Sequence, residues 1–198
     1  MNRLDALRRE IIEDASNAWA RELGYQPLYA AQPGARVAII GQAPGLRAQS
    51  GGLVWDDPSG VTLRSWLGVS EEQFYDPDVF ALLPMDFYYP GKAINGKSGD
   101  LPPRQDFAPR WHPRILAELP RIHLTLLVGS YAQAHYLAGR AKRTLTENVR
   151  AYAEYLPSTM ALVHPSPLNF RWQAKNPWFA AEVVPALRAA VRTSVDEA

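Results

Sequence analysis

Four short apolar runs, separated by stretches of helical periodicity, constrain this chain more than any other feature. They are residues 36–40 (RVAII), 80–85 (FALLPM), 122–128 (IHLTLLV) and 159–163 (TMALV). Continuous apolar runs of this length suit strands buried on both faces, as in a parallel sheet covered by crossover helices. Helical spacing fills the intervals. Leu4, Leu7, Ile11, Ala15, Ala18 and Leu23 predict an N-terminal helix stopped at Gly24. Further helices are expected over about 61–67, 110–119, 130–139 and 146–155, and a terminal one from Asn176-Pro177, bent at Pro185. The expected fold is α/β: a three-layer α/β/α sandwich around a short, mostly parallel four-stranded sheet. No repeat or linker interrupts the 198 residues. A single domain is therefore expected, with 1–35 an N-terminal helix and loop and 36–190 the core.

Composition removes several function classes. There is no cysteine, which excludes disulfides, thiolate metal sites, Cys-ligated iron–sulfur clusters and Cys nucleophiles. Four scattered histidines do not make a ligand set, so no metal and no cofactor are expected. No apolar run reaches the ~20 residues of a membrane helix, and the N-terminus is charged rather than signal-like. The expectation is a soluble, cytoplasmic monomer with no membrane partner. Net charge is only +1, so bulk charge does not announce a nucleic-acid binder. The kind of cation says more: Lys occurs only at 92, 97, 142 and 175, leaving 17 arginines, the better residue for bidentate phosphate contacts. Residues 86–109 lack periodicity altogether, and a loop that long inside a compact domain is usually functional.

Ligands of parallel α/β sheets bind beyond the carboxyl ends of the strands. Three segments fall there: Gly41-Gln42-Ala43-Pro44-Gly45, Gly129-Ser-Tyr-Ala-Gln133 and His164-Pro165-Ser166-Pro167-Leu168. The first has neither the spacing of a P-loop nor a dinucleotide fingerprint, and alone it reads as a turn whose amides suit an anion or a base edge. In the third, two prolines hold a loop presenting His164, Ser166 and an apolar tip, Leu168, as a wedge between bases requires. Ser130 fits both a helix cap and a phosphate site. Trp55 fits both core and a stacking platform for a base. Asp56 and Asp57 fit equally as caps of the following helix or as a catalytic carboxylate.

In that order, these segments resemble the uracil-DNA glycosylase superfamily. The second and third match the family's leucine-loop branch residue for residue. Gly41–Gly45, with the spacing through Gly52-x-x-Trp55 to Gly60, is similar to the iron–sulfur, thermophile-type branch. The resemblance covers about residues 36–190, and the ordered set is more specific than any single motif.

What the resemblance implies is a monofunctional DNA glycosylase that hydrolyses the bond between sugar and uracil, or another deaminated base, and so initiates base-excision repair. His164 then meets the departing base, and Gln42, Ala43 and Trp55 lie against it. Ser130, Pro165, Ser166, Leu168 and Arg171 contact DNA, Leu168 filling the gap left by the flipped nucleotide. Ala43 stands where the leucine-loop branch has a water-binding Asp, and Gly45 where it has the Tyr that excludes thymine. Pro84, Met85 and Asp86 occupy the region of its uracil-reading Asn. With Ala43 unable to hold water, Asp57 or Asp56 becomes the candidate carboxylate. Two other readings follow from these departures: a hypoxanthine- or xanthine-DNA glycosylase, or a damaged-DNA-binding module with weak or no catalysis. Hydrolysis of free nucleosides gives no role to Ser130, Ser166 and Leu168.

Overall fold

The computed structural model describes residues 3–93 and 99–196. The N-terminal segment does not form one helix. Helix α1 (Arg3–Glu13) ends at Asp14, whose carboxylate accepts the Ser16 N–H at 2.9 Å and caps a 3-10 turn. Helix α2 (Ala18–Glu22) follows, and Gly24 (φ 71°) reverses the chain after it. The apolar spacing is continuous, but Asp14, Ser16 and Asn17 offer side-chain bonds that compete with the helical ladder.

Strand β1 (Val37–Ile40) leads into the Gly41–Gly45 loop. Helix α3 (Leu46–Gly51) follows, in a stretch for which the sequence indicates no helix. Helix α4 (Pro58–Leu67) begins three residues earlier than its periodicity indicates, with Pro58 in its first turn and Asp57 as cap. Helix α5 (Glu71–Tyr75) is set by a Ser70/Gln73 capping box, a signal legible in the sequence. Strand β2 (Phe80–Leu82) is shorter than its apolar run. Helix α6 (Phe107–Leu116) precedes strand β3 (Leu124–Val128). In helix α7 (Ser130–Leu137), Gly129 takes the cap position at φ 88°; Ser130 is the first helical residue and makes no cap bond. The expected 146–155 helix divides into α8 (Leu145–Arg150) and α9 (Tyr152–Tyr155). Strand β4 (Thr159–Leu162) is followed by helix α10 (Phe170–Lys175), which lacks an apolar stripe. The terminal helix is interrupted as expected. A π turn at Phe179–Val183 precedes α11 (Val184–Asp196), because Pro185 has no N–H to continue the regular ladder.

The sheet order is β2-β1-β3-β4, and every pairing is parallel rather than mostly so. Alternation along the strands sorts their side chains to two buried faces. Ala38, Ile40, Ala81, Leu127 and Ala161 pack under α1, α6 and α7. Val37, Ile39, Phe80, Leu82, Leu126, Val128, Met160 and Leu162 pack under α4, α5, α8 and α11. These are the three layers expected. Pairing continues past the strand ends, since Met85 N–H donates to the Gly41 carbonyl at 2.9 Å and Asp86 N–H to Gln42 at 3.2 Å. The Gly41–Gly45 loop is thereby fixed at the carboxyl rim of the sheet.

Candidate active site

At that rim a cavity of about 430 Å³ opens between the Gly41–Gly45 loop, the Trp55 loop, Pro84, Gly99-Asp100 and the His164 loop. Trp55 forms part of its lining and is only 8% exposed. Its backbone is left-handed (φ 62°), a conformation costing about 1–3 kcal/mol for a bulky residue and met mostly at functional positions. Two glycines make room for it. A Cβ on Gly41 would lie 2.7 Å from Trp55 Cζ2, and one on Gly60 would lie 1.8 Å from the Trp55 carbonyl oxygen. The indole Nε1 is buried without a hydrogen-bond partner.

The imidazole of His164 lies 5.7 Å from the Trp55 ring, centroid to centroid, tilted by 33°. Its Nδ1 accepts the Ser166 N–H at 3.2 Å, which leaves the proton of the neutral ring on Nε2. Burial lowers the His164 pKa below the usual histidine value, and the Asp57 charge opposes this in smaller measure. A neutral ring at pH 7 is thus a donor through Nε2. Asn169 holds the loop by donating from Nδ2 to the His164 carbonyl at 2.8 Å. Ser166 Oγ accepts the Leu168 N–H at 3.2 Å, capping a 3-10 turn and leaving its own hydroxyl proton free. Leu168, 85% exposed, forms the tip.

Asp57 has a double position. Its Oδ1 accepts the Gly60 N–H at 2.9 Å as the cap of α4, and the side chain also lines the cavity. Gln42, Ala43, Trp55, Asp57, His164, Ser166 and Leu168 therefore converge on one hollow. Other candidates do not join them. Asp56 is exposed and does not line this cavity; it lines an adjoining depression with Arg47, Val61 and Pro167, to which Asp57 also contributes. Pro165 is buried within the turn and does not line the cavity. Ser130 is exposed beside the cavity, joined to it through Gly129, whose added Cβ would lie 3.7 Å from His164. Arg171 is exposed on α10, its guanidinium 5.6 Å from the Phe170 ring.

Sequence reasoning did not single out Ser59, Asn169 or Asp100, which also line the cavity. Nor did it find His112, which supports the cavity wall from beneath. His112 Nε2 donates to the Pro84 carbonyl at 2.9 Å, and Nδ1 accepts the Tyr136 hydroxyl at 2.6 Å. Burial pushes the His112 pKa down to about 4, so the ring is neutral and both bonds keep their sense. Asp86, fully buried, is occupied by Arg104 through Nε at 2.7 Å and Nη2 at 2.9 Å. Arg104 also reaches Asn17 Oδ1 at 2.7 Å, tying the long loop to the N-terminal helices. Among the described residues no cluster of three or more His, Asp or Glu side chains is placed to hold a metal ion. No helix among them is long and apolar enough to cross a membrane.

A family model described as the uracil DNA glycosylase superfamily matches residues 29–188. The matched span holds all four strands and every loop that lines the cavity. With the motif order, the all-parallel sheet and the rim cavity in agreement, the chain belongs to the uracil DNA glycosylase superfamily.

Proposed function

We propose that the chain hydrolyses the bond between deoxyribose and uracil, or another deaminated base, in DNA, leaving an abasic site for base-excision repair. Membership of a family of DNA glycosylases supports the class of reaction. The observation that carries the reading is the His164–Trp55 pair: a neutral imidazole with its proton on Nε2, beside an indole at the lining of a base-sized hollow.

The chemistry follows from charge. As the C1′–N bond breaks, the electron pair leaves with the base and positive charge grows on the sugar. The base rests on Trp55, and His164 Nε2–H donates to a base oxygen on which negative charge collects. A neutral donor suffices for this because the hydrogen bond strengthens as the charge grows. Asp57 keeps Oδ1 on Gly60 and has Oδ2 for a water molecule. That water adds to C1′ and passes a proton to Asp57, which returns it to the departed base. Extrusion costs a few kcal/mol, offset by Leu168 entering the stack and by the Ser166 and Ser130 hydroxyls on flanking phosphates.

A second reading, a larger deaminated purine, is favoured by the cavity itself. Its loop carries the small residues Gly41, Ala43 and Gly45, and Ala48 also lines the hollow, which leaves room beside Trp55 and His164. Oligonucleotides carrying uracil, hypoxanthine or xanthine, single- and double-stranded, decide between the two. Wild type is expected to produce abasic product from at least one, and His164→Ala to lose about 10²–10³-fold in rate. Binding to damaged DNA without product from any of them would mean a binding module instead.

A further inference from the structure

Two carboxylates line the cavity, and their surroundings differ. Asp57 is tied to the start of α4. Asp100 comes from the long loop after β2, on the opposite chain segment. There, Leu101 N–H donates to the Gly91 carbonyl at 2.8 Å and Ala93 N–H to Gly99 at 3.0 Å, so Lys92 and Asp100 sit side by side as an antiparallel pair. Asp100 Oδ1 receives Lys92 Nζ at 2.9 Å and the Tyr89 hydroxyl at 3.4 Å. Oδ2 faces the motif loop, where a Cβ on Gly45 would lie 3.9 Å away. One oxygen is anchored and the other is turned toward the cavity wall.

Depth decides what that oxygen meets. Asp100 is exposed, whereas Trp55 is buried. A base resting on Trp55 would set its deoxyribose toward the mouth of the cavity, the side on which the more exposed Asp100 lies. We propose that Asp100 is a second catalytic carboxylate, set against the deoxyribose to offset the positive charge that develops there; this rests on the glycosylase reading above. It exchanges no proton or electron pair: the C1′–N pair leaves with the base, and water is handled at Asp57. A fixed anion favours the reaction beside the sugar, where charge becomes positive, and would oppose it beside the departing base. Lys92 is 70% exposed, so water screens its charge, and the Tyr89 hydroxyl remains on Asp100 Oδ1 when Lys92 is removed.

The test compares binding of wild type, Asp100→Asn and Lys92→Ala to DNA carrying either a neutral tetrahydrofuran abasic analogue or a cationic pyrrolidine analogue. Cleavage of the modified-base panel is measured in parallel. Wild type is expected to prefer the cation by about 10-fold, Asp100→Asn by less than about 2-fold, and Lys92→Ala to retain the preference. Asp100→Asn is also expected to lower kcat by about 10–100-fold without weakening binding to the neutral analogue. Equal preference in wild type and Asp100→Asn overturns the assignment. So does loss in both variants, which would place the effect in the loop's fold and not in the charge. A wild type that cleaves with dependence on His164, while Asp100→Asn is equally fast, removes Asp100 alone. A wild type that cleaves no base removes the glycosylase reading and this assignment with it.

Discussion

Trp55 and His164 illustrate how single residues are held at a cost that the surrounding structure sustains. The indole sits at φ 62° with an unpartnered Nε1, and the imidazole is kept neutral by burial. Both features are of the kind that a binding site sustains at a cost to the rest of the fold, and both fit the proposed role of receiving a flat base and offering it a proton donor. His112 shows a structural use of the same side chain. Its pKa of about 4 against an ordinary 6.5 means that the unfolded chain takes up this proton first as pH falls. Stability from this group is complete above pH 6.5 and is lost as pH falls toward 4. Urea unfolding at a series of pH values checks this. His112→Gln is expected to be less stable at pH 7, but its stability should fall less steeply over that interval, by up to ~1.4 kcal/mol per pH unit. An unchanged slope would mean that His112 is already charged in the folded protein.

At the scale of elements, Asp57 is both the cap of α4 and a wall of the cavity, and the two roles separate by substitution. Asn caps a helix nearly as well as Asp but carries no charge. Asp57→Asn is therefore expected to keep the thermal midpoint close to wild type while lowering kcat about 10²-fold. Asp57→Ala should lose both activity and about 1 kcal/mol of stability. If Asp57→Asn stays fully active, the residue is a cap alone. The turn carrying Leu168 makes a different prediction. A wedge is needed only where a stack must be opened, so Leu168→Ala should slow cleavage of duplex about 10-fold or more and of single strands much less. The sequence made the strands legible because their apolar runs are continuous. It hid α3 and α10 because helices of six residues carry too few turns to show a period. Ser70 shows that a capping box can mark a short helix where periodicity does not, and the Thr144 box fixes the start of a helix that spacing already indicated.

For the whole molecule, parallel strand order brings residues far apart in the chain to one rim, and this is why motif order carried so much information. Gln42, His164 and Leu168 could be placed together before any coordinates because each follows a strand at its carboxyl end. Asp100, Asn169 and His112 could not. Asp100 lies in a segment without period, Asn169 follows a recognisable motif without belonging to it, and His112 reads as an ordinary helical residue until Pro84 is seen above it. Asp56 and Pro165 lie outside the lining of this cavity, although their sequence neighbours Asp57 and Ser166 belong to it. The central claim is that this rim receives one extruded base on the Trp55 ring, with His164 at the base's edge. A crystal structure with duplex DNA bearing an uncleavable 2′-fluoro-deoxyuridine tests it most directly. The prediction is a flipped base stacked on Trp55, with His164 Nε2 within hydrogen-bond distance of a base oxygen and Leu168 in the vacated stack. Density for an unflipped duplex, or for a base seated away from His164, would contradict it.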